Sequence, residues 1–348
     1  MSAASPIKVL VVDDSAYIRK VVSKMLNDDP GIEVVGTARN GRDALQQVER
    51  LNPDVVTLDL IMPEMDGVAF LREQMKRRPL PVVVVSIASE EGVKAVEAME
   101  AGALEFVQKP TALANEQVFE IANDLTSKVK IAASVSIDRL PVQRAIAAEI
   151  RLPGAQYQGR FDAVVLGVST GGPQALRHLL SQLPADFPIP LAIVLHMPIG
   201  YTAPFAQRLN ALSPLEVLEA REGDEMRPGR VLLAPAGKHL LLKRRADGTV
   251  AAHLDIRPTD TLHRPSVDVL FHSAAEVYGS RVVGVVLTGM GNDGTAGAAW
   301  IKAQGGYIIS EDPSTCVVYG MPRAVFEARL SDHVVPLHDL ARTLLEII

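Results

Sequence analysis

Two sets of polar side chains stand at spacings that open chemistry to them. In the first, Asp13 and Asp14 end the apolar run Ile7-Lys-Val-Leu-Val-Val12, and Asp59 closes the run from Asp54 to Leu58. Ser86 ends Val82-Val-Val-Val85, and Lys109 stands just beyond Leu104-Glu-Phe-Val107. In an open parallel sheet the carboxyl ends of the strands form one rim, where ligands bind. Three carboxylates, a hydroxyl and an ammonium then meet on that rim. A carboxylate attacks phosphorus poorly unless a cation offsets the incoming charge, and Mg²⁺ binds through one or two carboxylates plus water and phosphate. Asp14 and Asp59 offer the carboxylates and the Ile61 carbonyl a further oxygen. Lys109 offers a point charge to a phosphoryl group, and Ser86 a hydrogen bond. The plainer reading, solvated loop ends with Asp14 and Ser15 as helix N-caps, fits any one of these residues but not the set.

In the second set, Gly167-Val-Ser169-Thr-Gly171 lies between a strand-like run and a helix-like one, the context the G-x-S-x-G pattern requires. Small flanking residues allow a sharp turn with the Ser169 hydroxyl exposed at a helix N-terminus, where free N–H groups favour negative charge. Serine needs a base, and the base an orienting acid. His196 ends the next strand-like run, and Asp293 lies in Thr288-Gly-Met-Gly-Asn-Asp-Gly294 after a later one. The Met290 N–H is a candidate oxyanion donor. The chain order Ser, His, Asp differs from that of α/β-hydrolases. Two plainer readings compete. Gly167–Gly172 as a dinucleotide loop lacks the G-x-G-x-x-G fingerprint. Ser169 as a simple N-cap leaves the glycine-rich turn around Asp293 unexplained. His263 and His272 are weaker candidates for a pocket wall, His178, His239, His253, His333 and His338 weaker still, and Cys316 reads as packing.

The elements that must position these groups alternate. Strands are expected at 7–12, 32–38, 54–58, 82–86 and 104–107, with helices near 15–28, 40–51, 66–77, 90–101 and 114–128. Five such units imply a flavodoxin-like, doubly wound parallel sheet. The pattern weakens over 128–159, which reads as a linker, partly helical near 142–150. The expected division is therefore a first α/β domain at 1–127, a linker at 128–159 and a second α/β domain at 160–348. In the last, strands at 163–166, 191–195 and 281–287 flank a strand-rich middle, about 215–257, expected to be antiparallel, with a helix near 266–278.

Residues 6 to about 125 resemble the receiver domain of two-component response regulators, on Asp13, Asp14, Asp59, Ser86 and Lys109. The resemblance implies that a histidine kinase phosphorylates Asp59, that Asp13 and Asp14 hold Mg²⁺, and that Ser86 and Phe106 report the phosphorylated state. Many receivers carry threonine and tyrosine at those last two positions. In the second half, Gly167–Gly172, His196-Met-Pro198, His263-Arg-Pro-Ser-Val-Asp-Val-Leu-Phe271, Thr288–Gly294 and Tyr319-Gly-Met-Pro322 resemble the chemotaxis protein-glutamate methylesterase family. That resemblance implies a glutamyl methyl ester on the cytoplasmic helices of a chemoreceptor as substrate, with deamidation of receptor glutamines as a second activity. It implies Ser169 as nucleophile, His196 as base, Asp293 as the acid orienting it and the Met290 amide as oxyanion donor, with no metal in this step. It also implies a receiver that covers the Ser169 cleft until phosphorylated.

Composition bounds the alternatives. At 348 residues and 48% hydrophobic, the chain suffices for two cores. A net charge of −6 argues against a nucleic-acid partner. A single cysteine excludes an intrachain disulfide. No signal peptide or membrane-spanning run is evident, so a cytoplasmic location is expected. A tethering module without chemistry, a transcriptional regulator and a hydrolase of small esters are the rival functions; the regulator would need a basic helix-turn-helix output that the α/β pattern does not offer.

Overall fold

A computed structural model describes residues 5–86, 92–109, 115–136 and 159–348, with residues 115–120 described by backbone alone. The chain divides into two compact units, Met1–Arg144 and Ala145–Ile348. In the first, β1 (Ile7–Val12), β2 (Ile32–Ala38), β3 (Val55–Leu58), β4 (Val82–Ser86) and β5 (Glu105–Gln108) form a parallel sheet ordered β2-β1-β3-β4-β5. Strands β3 and β4 are buried at every position, as unbroken β-branched runs are when helices cover both faces.

Helices α1 (Ala16–Asn27), α2 (Gly41–Leu51), α3 (Gly67–Arg77), α4 (Gly92–Glu100) and α5 (Asn115–Ser134) connect or follow these strands. The first three start where short polar side chains accept a first-turn amide: Ser15 from Ile18, Asn40 from Asp43 and Asp66 from Ala69. Helix α5 runs past residue 128, into the stretch expected to be linker. Its buried stripe Leu125, Val129 and Ala132 continues at helical spacing, so the apolar face keeps the helix going. Residues 137–158, including the helix expected near 142–150, lie outside the described residues.

The second unit holds β6 (Ala163–Val168), β7 (Leu191–Leu195), β8 (Glu216–Glu219), β9 (Arg230–Leu233), β12 (Val282–Val286), β13 (Tyr307–Glu311) and β14 (His333–Val335). All pair in parallel, in the order β14-β13-β12-β6-β7-β9-β8. The strand-rich middle is therefore only half antiparallel. Its strands β8 and β9 extend the main sheet, while β10 (His239–Arg244) and β11 (Val250–Asp255) form a separate antiparallel hairpin. The order reverses at β6, which has β12 on one side and β7 on the other, and such a switch point opens a crevice at the carboxyl ends of the strands.

Helices α6 (Gly172–Gln182), α7 (Thr202–Leu212), α8 (Val267–Tyr278), α9 (Thr295–Ala303), α10 (Met321–Glu327) and α11 (Leu337–Ile347) complete the unit. The hairpin is tied to α8 where Leu242 N donates to the buried Ser273 Oγ at 3.0 Å. No described helix is long and apolar enough to cross a membrane.

Helix α8 makes close contacts that need glycine opposite it. A Cβ at Gly167 would lie 2.2 Å from Val267 Cγ1, and one at Gly297 would lie 2.5 Å from Phe271 Cβ. Gly297→Ala should therefore push α9 off α8. It is expected to cost about 1–3 kcal/mol, as overpacking does, visible as a lower urea midpoint at unchanged slope. An unchanged midpoint would show that the two helices are not locked by this contact.

Candidate active site

Strand register places the sequence-predicted residues side by side. Val168 is paired with Leu195 and Gly167 with Val286, so Ser169 and His196 follow the ends of adjacent strands. The His196 N–H donates to Val168 O at 3.1 Å, and the Ser169 N–H to Thr288 O at 3.0 Å. A Cβ at Gly289 would lie 2.8 Å from that of Ser169, which brings the turn after β12 directly against the serine. From that turn Asp293 reaches His196, with Oδ2 2.8 Å from Nε2. Met290, in the same turn, is 46% exposed.

The Asp293 carboxylate accepts four donors. Oδ2 takes His196 Nε2 and the Val267 N–H, each at 2.8 Å, while Oδ1 takes Ser266 Oγ at 2.9 Å and the Asp268 N–H at 3.0 Å. It thus caps the N-terminus of α8, where backbone amides favour an anion. Burial alone would raise its pKa. The His196 hydrogen bond and charge, with the Asp268 and Val267 amides, outweigh burial and hold the carboxyl well below the usual range. An ionised carboxylate only accepts, so the proton lies on His196 Nε2. In the neutral form of that ring Nδ1 is the lone-pair nitrogen; it is buried and has no hydrogen-bond partner among the described residues. The His263 ring stacks on the imidazole, centroids 4.0 Å apart.

Three contributors lay beyond the sequence reading or were only weak candidates in it. His239, fully buried, accepts the Ser266 N–H at Nδ1 (3.2 Å) and donates from Nε2 to Pro258 O (3.0 Å). Burial pushes its pKa down. A ring nitrogen that accepts an N–H carries no proton, so the hydrogen bond from Ser266 makes this imidazole neutral and fixes the approach to α8. Glu311, 1% exposed, accepts the Thr288 N–H at 2.7 Å and Thr315 Oγ1 at 3.0 Å. Burial pushes its carboxyl up. Thr288 Oγ1 in turn donates to Thr170 O at 2.9 Å, so Glu311 anchors the start of the turn carrying Met290 and Asp293. The third is Asp268, in the first turn of α8. Nothing in the local sequence separates Glu311 from an ordinary strand-end acid. His239 reads as a residue of a hairpin strand.

Beside Asp293 lies a cleft of about 690 Å³ lined by Leu262, His263, Val269, His272 and Trp300, among others. It reaches the His196–Asp293 pair through Asp293 and His263; Ser169 and His196 do not line it.

In the first unit the strand ends also converge. Asp59 N donates to Val12 O at 2.9 Å, and ligand oxygens of Asp13, Asp14 and Asp59 lie within 4.8 Å of one another. Lys109 Nζ is 2.7 Å from Asp59 Oδ2 and 3.0 Å from Asp13 Oδ2. Burial alone would lower the Lys109 pKa; the two carboxylates outweigh it and raise the pKa. Ser86 is fully buried, its carbonyl accepting the Lys109 N–H at 2.9 Å, and Phe106 is buried on β5, paired with Val84. The Ile61 N–H points back to Asp59 Oδ1 at 3.4 Å.

Comparison with known proteins agrees with this division. The CheB methylesterase family model matches residues 164–344, and the response regulator receiver domain model matches residues 9–119. A protein-glutamate methylesterase/protein-glutamine glutaminase of Myxococcus xanthus is 53% identical over 98% of this chain and 97% of its own. One from Symbiobacterium thermophilum is 46% identical over 97% of this chain and 95% of its own. The crystal structure of the Thermotoga maritima CheB methylesterase catalytic domain matches with a TM-score of 0.53 and 44% identity, over 54% of this chain and 99% of that one.

The depressed carboxyl of Asp293 makes a pH prediction. Its stabilising contribution is present above the ordinary carboxylate pKa, about 4, and is lost as pH falls through the lower folded value. Asp268, pushed up chiefly by burial and then by Asp293, contributes with the opposite sign. Thermal melts between about pH 6 and 3 should show the second unit losing stability more steeply in the wild type than in Asp293→Asn. Parallel profiles would mean that the carboxylate is not held ionised by its donors.

Proposed function

The chain belongs to the CheB methylesterase family with an N-terminal response-regulator receiver, and from that membership we propose that Ser169, His196 and Asp293 form its hydrolytic centre. It is a chemotaxis methylesterase regulated by phosphorylation. The observation that carries the catalytic assignment is the 2.8 Å contact between His196 Nε2 and Asp293, on the rim where Ser169 ends the neighbouring strand.

Ser169 Oγ attacks the carbonyl carbon of a glutamyl methyl ester while His196 Nδ1 takes the hydroxyl proton. Asp293 holds the other nitrogen protonated and stabilises the imidazolium that forms. The Met290 N–H receives the oxyanion of the tetrahedral intermediate; one such donor is worth about 3 kcal/mol. As the intermediate collapses, His196 returns the proton to the departing methoxy oxygen and methanol leaves. Water, deprotonated by His196, then cleaves the glutamyl-serine ester and restores a free glutamate. With a glutamine substrate the same steps release ammonia. The substrate glutamyl groups lie on cytoplasmic helices of chemoreceptors, which puts the enzyme in the cytoplasm.

In the receiver, Asp59 accepts a phosphoryl group from a chemotaxis histidine kinase. Asp13, Asp14, Asp59 and the Ile61 carbonyl suit Mg²⁺, a hard cation that takes oxygen ligands, and the clustering of the three carboxylates supports this. Mg²⁺ bound there would offset the charge of the phosphoryl donor. Lys109 contacts the phosphoryl oxygens, and Ser86 and Phe106 repack around them. Phosphorylation shifts the enzyme towards its active form. A shift from 1:99 to 99:1 requires about 5.5 kcal/mol of differential stabilisation.

Methanol release from methylated receptor membranes tests both halves. Ser169→Ala should lower it by roughly a thousandfold or more. A phosphodonor with Mg²⁺ should activate the wild type but not Asp59→Asn. Undiminished release by Ser169→Ala would remove the esterase mechanism, and activation of Asp59→Asn would remove the receiver assignment.

A further inference from the structure

We propose that Asp268 is a positioning residue for the esterase, clamping the segment that carries Asp293 so that its carboxylate stays on His196. The proposal rests on the catalytic reading of Ser169, His196 and Asp293 and extends it to a residue that touches neither the nucleophile nor the base.

The two aspartates form a reciprocal cap. Asp293, just ahead of α9, lies on the N-terminus of α8 through Ser266 Oγ and the Val267 and Asp268 amides. Asp268, in the first turn of α8, lies on the N-terminus of α9: its Oδ1 accepts the Gly294 N–H at 2.9 Å and the Gly297 N–H at 2.7 Å. Gly294, with φ +99°, stands at the N-cap position ahead of α9 and has no side chain to cap it. Asp268 supplies the missing acceptor from the neighbouring helix. The residue therefore holds Asp293 twice, by its own N–H on the carboxylate and by its side chain on the peptide immediately following.

This arrangement sets two carboxylates beside each other, which is unfavourable, and Asp268 is itself partly buried. A cap serving the fold alone could be an uncharged Ser, Thr or Asn on α9 itself. Reaching across to α8 instead couples the two helix ends, so Asp293 cannot shift with one helix while His196 stays with the sheet. A displacement near 1 Å at a catalytic contact is costly to rate even when folding survives.

The test compares kcat and KM for methanol release from methylated receptor, using the full-length chain and variants shown folded by their melts. Asp268→Ala should lower kcat roughly ten- to a hundredfold, with KM changed less than about twofold. Asp268→Asn keeps an oxygen that can accept both glycine N–H groups and should recover most of that loss. Leu344→Ala, a fully buried core change in α11, should lower stability and leave kcat near wild type. Should Asp268→Ala fail to fold, Asp268→Glu replaces it; the longer side chain keeps the charge but misplaces the acceptor, so kcat should fall below that of Asp268→Asn. The proposal is overturned if Asp268→Ala behaves like Leu344→Ala, if KM rises while kcat holds, or if Asp268→Asn is no better than the alanine or glutamate variant. Ser169→Ala is assayed alongside. Activity retained there removes the catalytic reading itself, whereas an inactive Ser169→Ala with an undiminished Asp268→Ala removes only the role of Asp268.

Discussion

The Asp293 carboxylate sits in a largely dry position yet remains ionised, because His196 and three groups at the head of α8 donate to it. Most of the catalytic half can be understood as the means of keeping it there. An anion buried without such donors would take up a proton. A neutral Asp293 could no longer dictate which imidazole nitrogen carries the hydrogen. With the anion in place, Nε2 is the donor and Nδ1 is left with its lone pair in a buried pocket. Glu311 and Thr288 hold one end of the Asp293 turn, His239 fixes Ser266 ahead of α8, and Gly167 lets Val267 approach the serine turn.

The sheet does the coarser positioning. Because β6 lies between β7 and β12, residues far apart in sequence finish on one rim, and hydrogen bonds between the strand ends bring them together. The receiver uses the same device with a different outcome. There the rim gathers three acids and one lysine, and the lysine's ammonium contacts two of them, offsetting one of the charges. One rim sets carboxylates beside a cation, the other a serine beside a histidine.

Much of this was legible in the sequence because short apolar runs ending in polar residues report both the strands and their rim. Ser169, His196, Asp13, Asp59 and Lys109 stand at or just beyond such run ends, and Asp293 in the glycine-rich turn after one. What stayed hidden has physical reasons. Strand direction in the 215–257 region is set by pairing partners, so β8 and β9 looked no different from the hairpin strands. The three-residue β14 is too short to show a period. Helix α5 outran its expected end because its buried stripe continues past the point where polar residues begin to dominate. Asp268 and Glu311 act through backbone amides distant in sequence, and no local spacing records such contacts.

The most direct check on this account is the protonation state of the two ring nitrogens of His196, read from their ¹⁵N resonances in the neutral enzyme. The account predicts a protonated, pyrrole-like Nε2 and an unprotonated, pyridine-like Nδ1, with that preference weakened in Asp293→Ala. A proton found on Nδ1, or a tautomer indifferent to Asp293, would contradict it.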